Sequence, residues 1–314
     1  LTLIEILIGL VVSSLMMAAI FTTYQVVNNS YSQVTDRAKI SRSGRDIVSM
    51  LMRDIRLAGF KYYLGVNSDD ISISDPLSFQ GGTVEHVQDS HDPLIIVQDK
   101  LGYSTDKTKD DSSTTQKSDD LCCDRIHIVY GDYDGSDPDQ KYKRYRITYY
   151  AEKTGSIEDP RYGVYKSIEY WHQPRSKTVC EWPPSSTMGW VTDEQEGGKR
   201  ICPECIKREL VRDHVVDMEF LLFDEHGHHL WDDFVGSYPL PINSTRDKIY
   251  EIRQVDMALT FRSNKDFYKS ELEGTKRRYV KTLGSDRNKT NPGYKDKYLR
   301  ESIVVSVHTR NIGG

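Results

Sequence analysis

The chain begins LTLIEILIGLVVSSLMMAAIF, and from Leu1 to Val27 it holds no Lys, Arg or Pro and a single charge, Glu5. That run suits the roughly 20 residues a helix needs to cross a bilayer. Elsewhere the chain is polar, with 28% charged and 37% hydrophobic residues overall, so the membrane expectation rests on this one segment. A carboxylate at the centre of such a helix costs about 2.5–3.5 kcal/mol, and less near an end. Glu5 therefore calls for a compensating group, and a free α-amine is the natural one. The amine of Leu1 lies about one turn away, and that of a parallel neighbour displaced along the axis is also in reach. On this reading Glu5 sets the register of helices that pack side by side. A secretory signal brings a basic n-region and a small-residue cleavage site; the segment has neither, and its start reads as already processed.

The helical pattern continues past the apolar run. Tyr24, Val27, Tyr31, Val34, Ala38, Ser41, Val48, Leu51, Ile55 and Ala58 recur in steps of three and four with one gap near Gly44, which predicts a helix with one covered face. The first proline is Pro76, so a single helix can run to about Ala58, about 87 Å at 1.5 Å per residue, with Gly59 as its stop signal. Residues 1–59 are thus expected to be helical, 1–27 in the membrane and 28–59 amphipathic, with residues 60–314 as the globular part.

The stretch LTLIEILIGLVVSSLMM resembles the mature start of type IV pilins and pseudopilins, whose precursors are cut after a glycine and carry Glu in the same place. The resemblance implies that Leu1 is N-methylated, although the family usually has Phe there. A second stretch, SRSGRDIVSMLMRDIRLAGFKYY, is similar to the helix-to-domain junction of PilW-type minor pilins through Arg53, Asp54, Arg56, Ala58, Gly59 and Phe60. Arg53 and Arg56 also put positive charge where the helix dipole favours it, and Gly59 can supply a left-handed cap. Towards the other end LVRDHVVDMEFLLFDEHG, IRQVDMALTFRSNKD and YLRESIVVSVHTRN resemble the last strands of PilW-type and J-type pseudopilin domains.

Strand signals occur at 93–98, 124–131, 141–150, 161–171, 215–223, 252–261 and 302–310, with clear alternation in the last three. Val305, Val307 and Thr309 fall on one face, and Ser306, His308 and Arg310 on the other. Strands following one long helix imply an α+β fold with an antiparallel sheet laid on the helix, which is also what the resemblance implies. The polar stretch 99–120 reads as a surface loop, 171–205 as a Cys- and Pro-rich excursion, and 285–297 as a further loop. The twenty tyrosines suit cross-strand packing.

Cys122, Cys123, Cys180, Cys202 and Cys205 all lie beyond the apolar run, where an oxidising compartment favours disulfides. Adjacent cysteines seldom bond each other, so Cys122 and Cys123 are each expected to reach elsewhere, towards Cys180 or the Cys202–Cys205 pair. An odd count leaves one thiol free, shared between molecules, or on a metal. Asp132, Asp134, Asp137 and Asp139 offer oxygens of the kind calcium takes. Against that, their glycine comes too early for an EF-hand and the closing Glu is missing, and a hairpin loop explains the same residues. His226, His228 and His229 suit a transition metal or a polar turn. No nucleophile elbow, Walker loop, dinucleotide turn or HExxH is present; no catalytic residue and no required cofactor are expected. With acids and bases interspersed at a net charge of -5, nucleic acid is not an expected partner either.

The resemblance implies a minor pilin of a type IV pilus. Such a subunit waits in the inner membrane with a periplasmic globular domain, then packs its helix against other minor pilins and the major pilin. It primes assembly and comes to sit extracellularly at the tip, with a PilY-family adhesin as a further partner. The alternatives are a J-type pseudopilin of type II secretion, or a signal-anchored periplasmic binding protein or enzyme.

Overall fold

The computed structural model describes residues 2–60, 93–97, 101–102, 122–133, 142–155, 161–172, 189–191, 195–196, 199–200, 202, 204–230, 249, 251–268 and 297–312. One helix, α1, runs from Leu3 to Leu57. It ends as the sequence predicts: Ala58 leaves helical geometry and Gly59 takes a φ of 74°, a conformation open to glycine without penalty. A Cβ at Gly59 would also lie 2.9 Å from the carbonyl oxygen of Asn311.

Ten strands follow among the described residues: β1 (Leu94–Val97), β2 (Arg125–Tyr133), β3 (Tyr142–Lys153), β4 (Tyr162–His172), β5 (Gly189–Val191), β6 (Gln195–Glu196), β7 (Lys199–Arg200), β8 (Ile206–Phe223), β9 (Gln254–Arg262) and β10 (Arg300–His308). The main sheet has the order β1-β2-β3-β4-β8-β9-β10, with β5 also on β4 and β6–β7 a separate ribbon. Each of these pairings is antiparallel. The fold is therefore α+β, one long helix laid against an antiparallel sheet. All seven expected strands are present. The first half of β8 and the short strands β5 to β7 were not legible. Residues 206–214 are mostly exposed or half-exposed, so they show no period-2 alternation of the sort that betrays a one-sided strand.

The core lies between the second half of α1 and the inner face of the sheet. Ile40, Ile47, Val48, Leu51, Ile55 and Ala58 on the helix join Ile126, Ile128, Met218, Phe220, Met257, Leu259 and Phe261. This corrects the expected helix face in two ways. Tyr24, Val27, Tyr31 and Val34 are exposed, because the sheet flanks only the later turns of α1. Gly44 is no gap but a close approach: a Cβ there would meet Ile303 Cδ1 at 2.8 Å and Phe261 Cε2 at 3.0 Å. The tyrosines stack across strands, Tyr130 on Tyr145 at 5.5 Å and Tyr150 on Tyr165 at 5.8 Å between ring centres. Burial is the chief cause that pushes the hydroxyls of Tyr130 and Tyr150 up to about 12.

The opposite face of β2–β4 is buried too, and two pairs of its polar side chains meet across the strands. His127 Nδ1 lies 2.9 Å from Thr148 Oγ1, and Arg146 Nε donates to Glu169 at 2.7 Å. Pairing of this kind is what makes such burial tolerable.

The cysteines correct another expectation. Cys122 is joined to Cys123 and Cys202 to Cys205, rather than Cys122 and Cys123 each reaching a distant partner. The tight turn in which Cys205 N–H donates to Cys202 O closes the second pair on itself, so neither cysteine is left for Cys122 or Cys123. Cys180 lies outside the described residues.

Candidate assembly helix and its seat on the sheet

The first half of α1 is bare. Every large apolar side chain from Leu3 to Val34 is exposed, from 46% at Val12 to 81% at Leu3. Leaving such side chains in water forgoes about 1.5–3 kcal/mol each, so the surface favours an apolar cover. Four of its hydroxyls are settled within the helix. Ser13 donates to Leu10 O at 3.0 Å, Ser14 to Val11 O at 2.8 Å, and Thr22 and Thr23 to Ala19 O at 2.9 Å. A hydroxyl bonded to its own backbone can enter an apolar medium without an unmet donor.

Glu5 stands in the first turn, and its Oε2 accepts the Thr2 backbone N–H at 2.8 Å. The carboxylate thus closes the open end of its own helix, where both the free N–H groups and the dipole favour an anion. Leu1 lies outside the described residues.

At the far end α1 is fastened by Asp54, an acid on the buried face at 1% exposure. Its Oδ2 accepts from Tyr149 Oη and from Lys166 Nζ, each at 2.6 Å, and its Oδ1 from Arg53 Nε at 3.1 Å. One helix carboxylate thereby holds two adjacent strands, β3 and β4. Burial, reinforced by the Asp54 charge, drives the Tyr149 hydroxyl far above its ordinary range, so it remains a donor. The backbone completes the seat: Gly59 N–H donates to Val129 O at 2.8 Å, Gly131 N–H to Phe60 O at 2.6 Å, and Asn311 Nδ2 to Arg56 O at 2.9 Å. Both margins of the sheet, β1–β2 and the segment after β10, thus meet at the helix end. Arg53 and Arg56 are exposed. The part Asp54 plays was missed in sequence; the available signal was an acid inside the stripe Ile47–Leu51–Ile55–Ala58.

The other candidates are not assembled into a site. Asp132 lies in β2 opposite Lys143, and Asp134, Asp137 and Asp139 fall outside the described residues. Asp224 organises the histidine turn, its Oδ1 accepting N–H bonds from His226 and His228 at 2.8 and 2.7 Å. Among the described residues no three His, Cys, Asp or Glu side chains converge as a metal would need.

No protein-family model matches the sequence, and no curated protein matches it. Among solved structures the chain is similar to a type IV-like pilin from Thermus thermophilus, at 10% identity and a TM-score of 0.36, over 88% of this chain and 100% of that one. A likeness of that strength adds nothing to what the helix and sheet say by themselves.

Proposed function

We propose that the chain is a subunit of a type IV pilus-like filament, of the PilW-type minor pilin kind, which helps to prime assembly and sits in the tip complex. The observation that carries this reading is the division of α1. One half offers an unbroken apolar surface with a lone acid in its first turn, and the other half is locked to a sheet. The bare half holds the subunit in the membrane and then packs against the equivalent helices of other pilins, with Glu5 meeting a neighbour's amine. The locked half carries the globular part outward, where a PilY-family adhesin is the further proposed partner.

Glu5→Ala in the full chain tests this. Expected is loss of surface filaments while the protein remains in the membrane at wild-type level. Mass spectrometry of sheared, non-reduced filaments should find the wild-type chain at low abundance with its first residue methylated. Unchanged piliation and absence from sheared filaments would refute the proposal. A J-type pseudopilin would show lost protein export in the same variant, and a non-polymerising anchored protein no change in either.

A further inference from the structure

β8 changes neighbours part-way along. On β4, Val164 pairs with Arg212 and Tyr162 with Val215, while Val215, Asp217 and the residues after them pair with β9, so both strands share Val215. From Arg212 to Val215, β8 takes one residue more than β4 does between Val164 and Tyr162. From Val215 to Asp217 it again takes one more than β9 does between Phe261 and Thr260. His214 sits in the first of these bulges with a φ of 62°, a left-handed conformation uncommon outside glycine, in a setting that re-aims a side chain. Its ring meets the start of β4: Nε2 lies 3.2 Å from Arg161 Nη1, and Nδ1 lies 3.3 Å from Asp213 Oδ2. A guanidinium only donates, so Nε2 is the acceptor and the ring is neutral, with its proton on Nδ1 towards Asp213. Asp213 Oδ1 accepts the His214 N–H at 2.8 Å and the Thr154 hydroxyl at 3.1 Å, and Thr154 and Gly155 N–H donate to Arg161 O at 3.0 and 3.2 Å. Bulge and β3–β4 turn are thus one hydrogen-bonded unit, closed by the imidazole. The charged groups facing the ring are Asp213 beside it, Arg161 before β4 and Arg262 at the end of β9, and Asn264 also hydrogen-bonds to it. Burial, only partly offset by Asp213, and then the two arginine charges hold the imidazole below its ordinary 6.5.

We propose that His214 is a pH-sensitive latch between the β3–β4 turn and the point where β8 passes from β4 to β9, closed while the ring is neutral and released when it is protonated. A proton on Nε2 removes the acceptor that Arg161 uses and sets a third positive charge beside Arg161 and Arg262. The left-handed backbone of the bulge is held by these same local bonds, so their loss also frees residue 214 to relax. Because the open form takes up the proton more readily than the closed one, acid favours opening. The opening constant rises by up to about tenfold for each pH unit below 6.5, until the lowered value of the closed form is reached.

Hydrogen exchange of the detergent-solubilised full chain between about pH 5 and pH 7.5 tests this, each rate being divided by that of an unstructured amide at the same pH. Protection of the Thr154, Gly155 and His214 amides should fall several-fold below pH 6.5, by up to about tenfold for one pH unit. Amides across β2–β3 report global unfolding, to which His127 is coupled, and should stay more protected throughout. His214→Asn accepts the left-handed backbone but cannot titrate, and should leave protection at the three positions independent of pH. In the wild-type chain the His214 ring, followed by NMR, should titrate below 6.5 and over the same range in which protection is lost. Protection that does not change with pH overturns the proposal, as does an equal fall in His214→Asn. So does a fall that keeps step with β2–β3, which would assign the change to global unfolding, or a His214 ring that titrates outside the range of the loss.

Discussion

Asp54 shows how much a single side chain can decide. It is the one acid on the buried stripe of α1, and it satisfies a lysine and a tyrosine from two strands at once. Asp54→Ala strands the Lys166 ammonium without its anion, and removing one member of a buried pair costs about 3–5 kcal/mol. Urea unfolding should show that loss, and adding Lys166→Met should recover most of it. His127 gives a second test. Burial, and then the charges of Arg125 and Arg146, hold its imidazole well below the ordinary 6.5. The unfolded chain therefore takes up a proton that the folded one resists, and stability falls as the pH drops through 6.5 towards the lowered folded value. Melting temperatures followed between about pH 5 and pH 8 should decline on the acid side, and His127→Gln should flatten that decline.

Among the elements, the helix was the most legible. Its period, the absence of proline and the glycine stop each act within a few residues, so the sequence displays them directly. Gly44 was not legible, because its role depends on Phe261 and Ile303, more than two hundred residues away in the chain. Gly44→Leu is expected to push α1 off β9 and β10 at a cost of about 1–3 kcal/mol, the usual penalty of overfilling a packed contact, read as a lower urea midpoint. The same distance problem hid the first half of β8, which has no buried face of its own to print a pattern. It also hid the joining of Cys122 to Cys123, since general geometry favours distant partners until the fold shows that Cys202 and Cys205 have closed on each other.

For the molecule as a whole, the sequence revealed a long helix and a sheet but not where one ceases to depend on the other. The first buried helix residue is Ile40, so residues 2–32 lend nothing to the core. A chain lacking them is expected to be soluble and monomeric by size exclusion, with a melting temperature near that of the detergent-solubilised full chain. The join at Gly59 bears on how such a molecule carries load. Tension entering along the helix axis reaches Val129 and Gly131 on one margin and Asn311 on the other together. Those bonds are then strained in parallel, as in a rope spliced to both sides of a sail, instead of parting one after another like a zip.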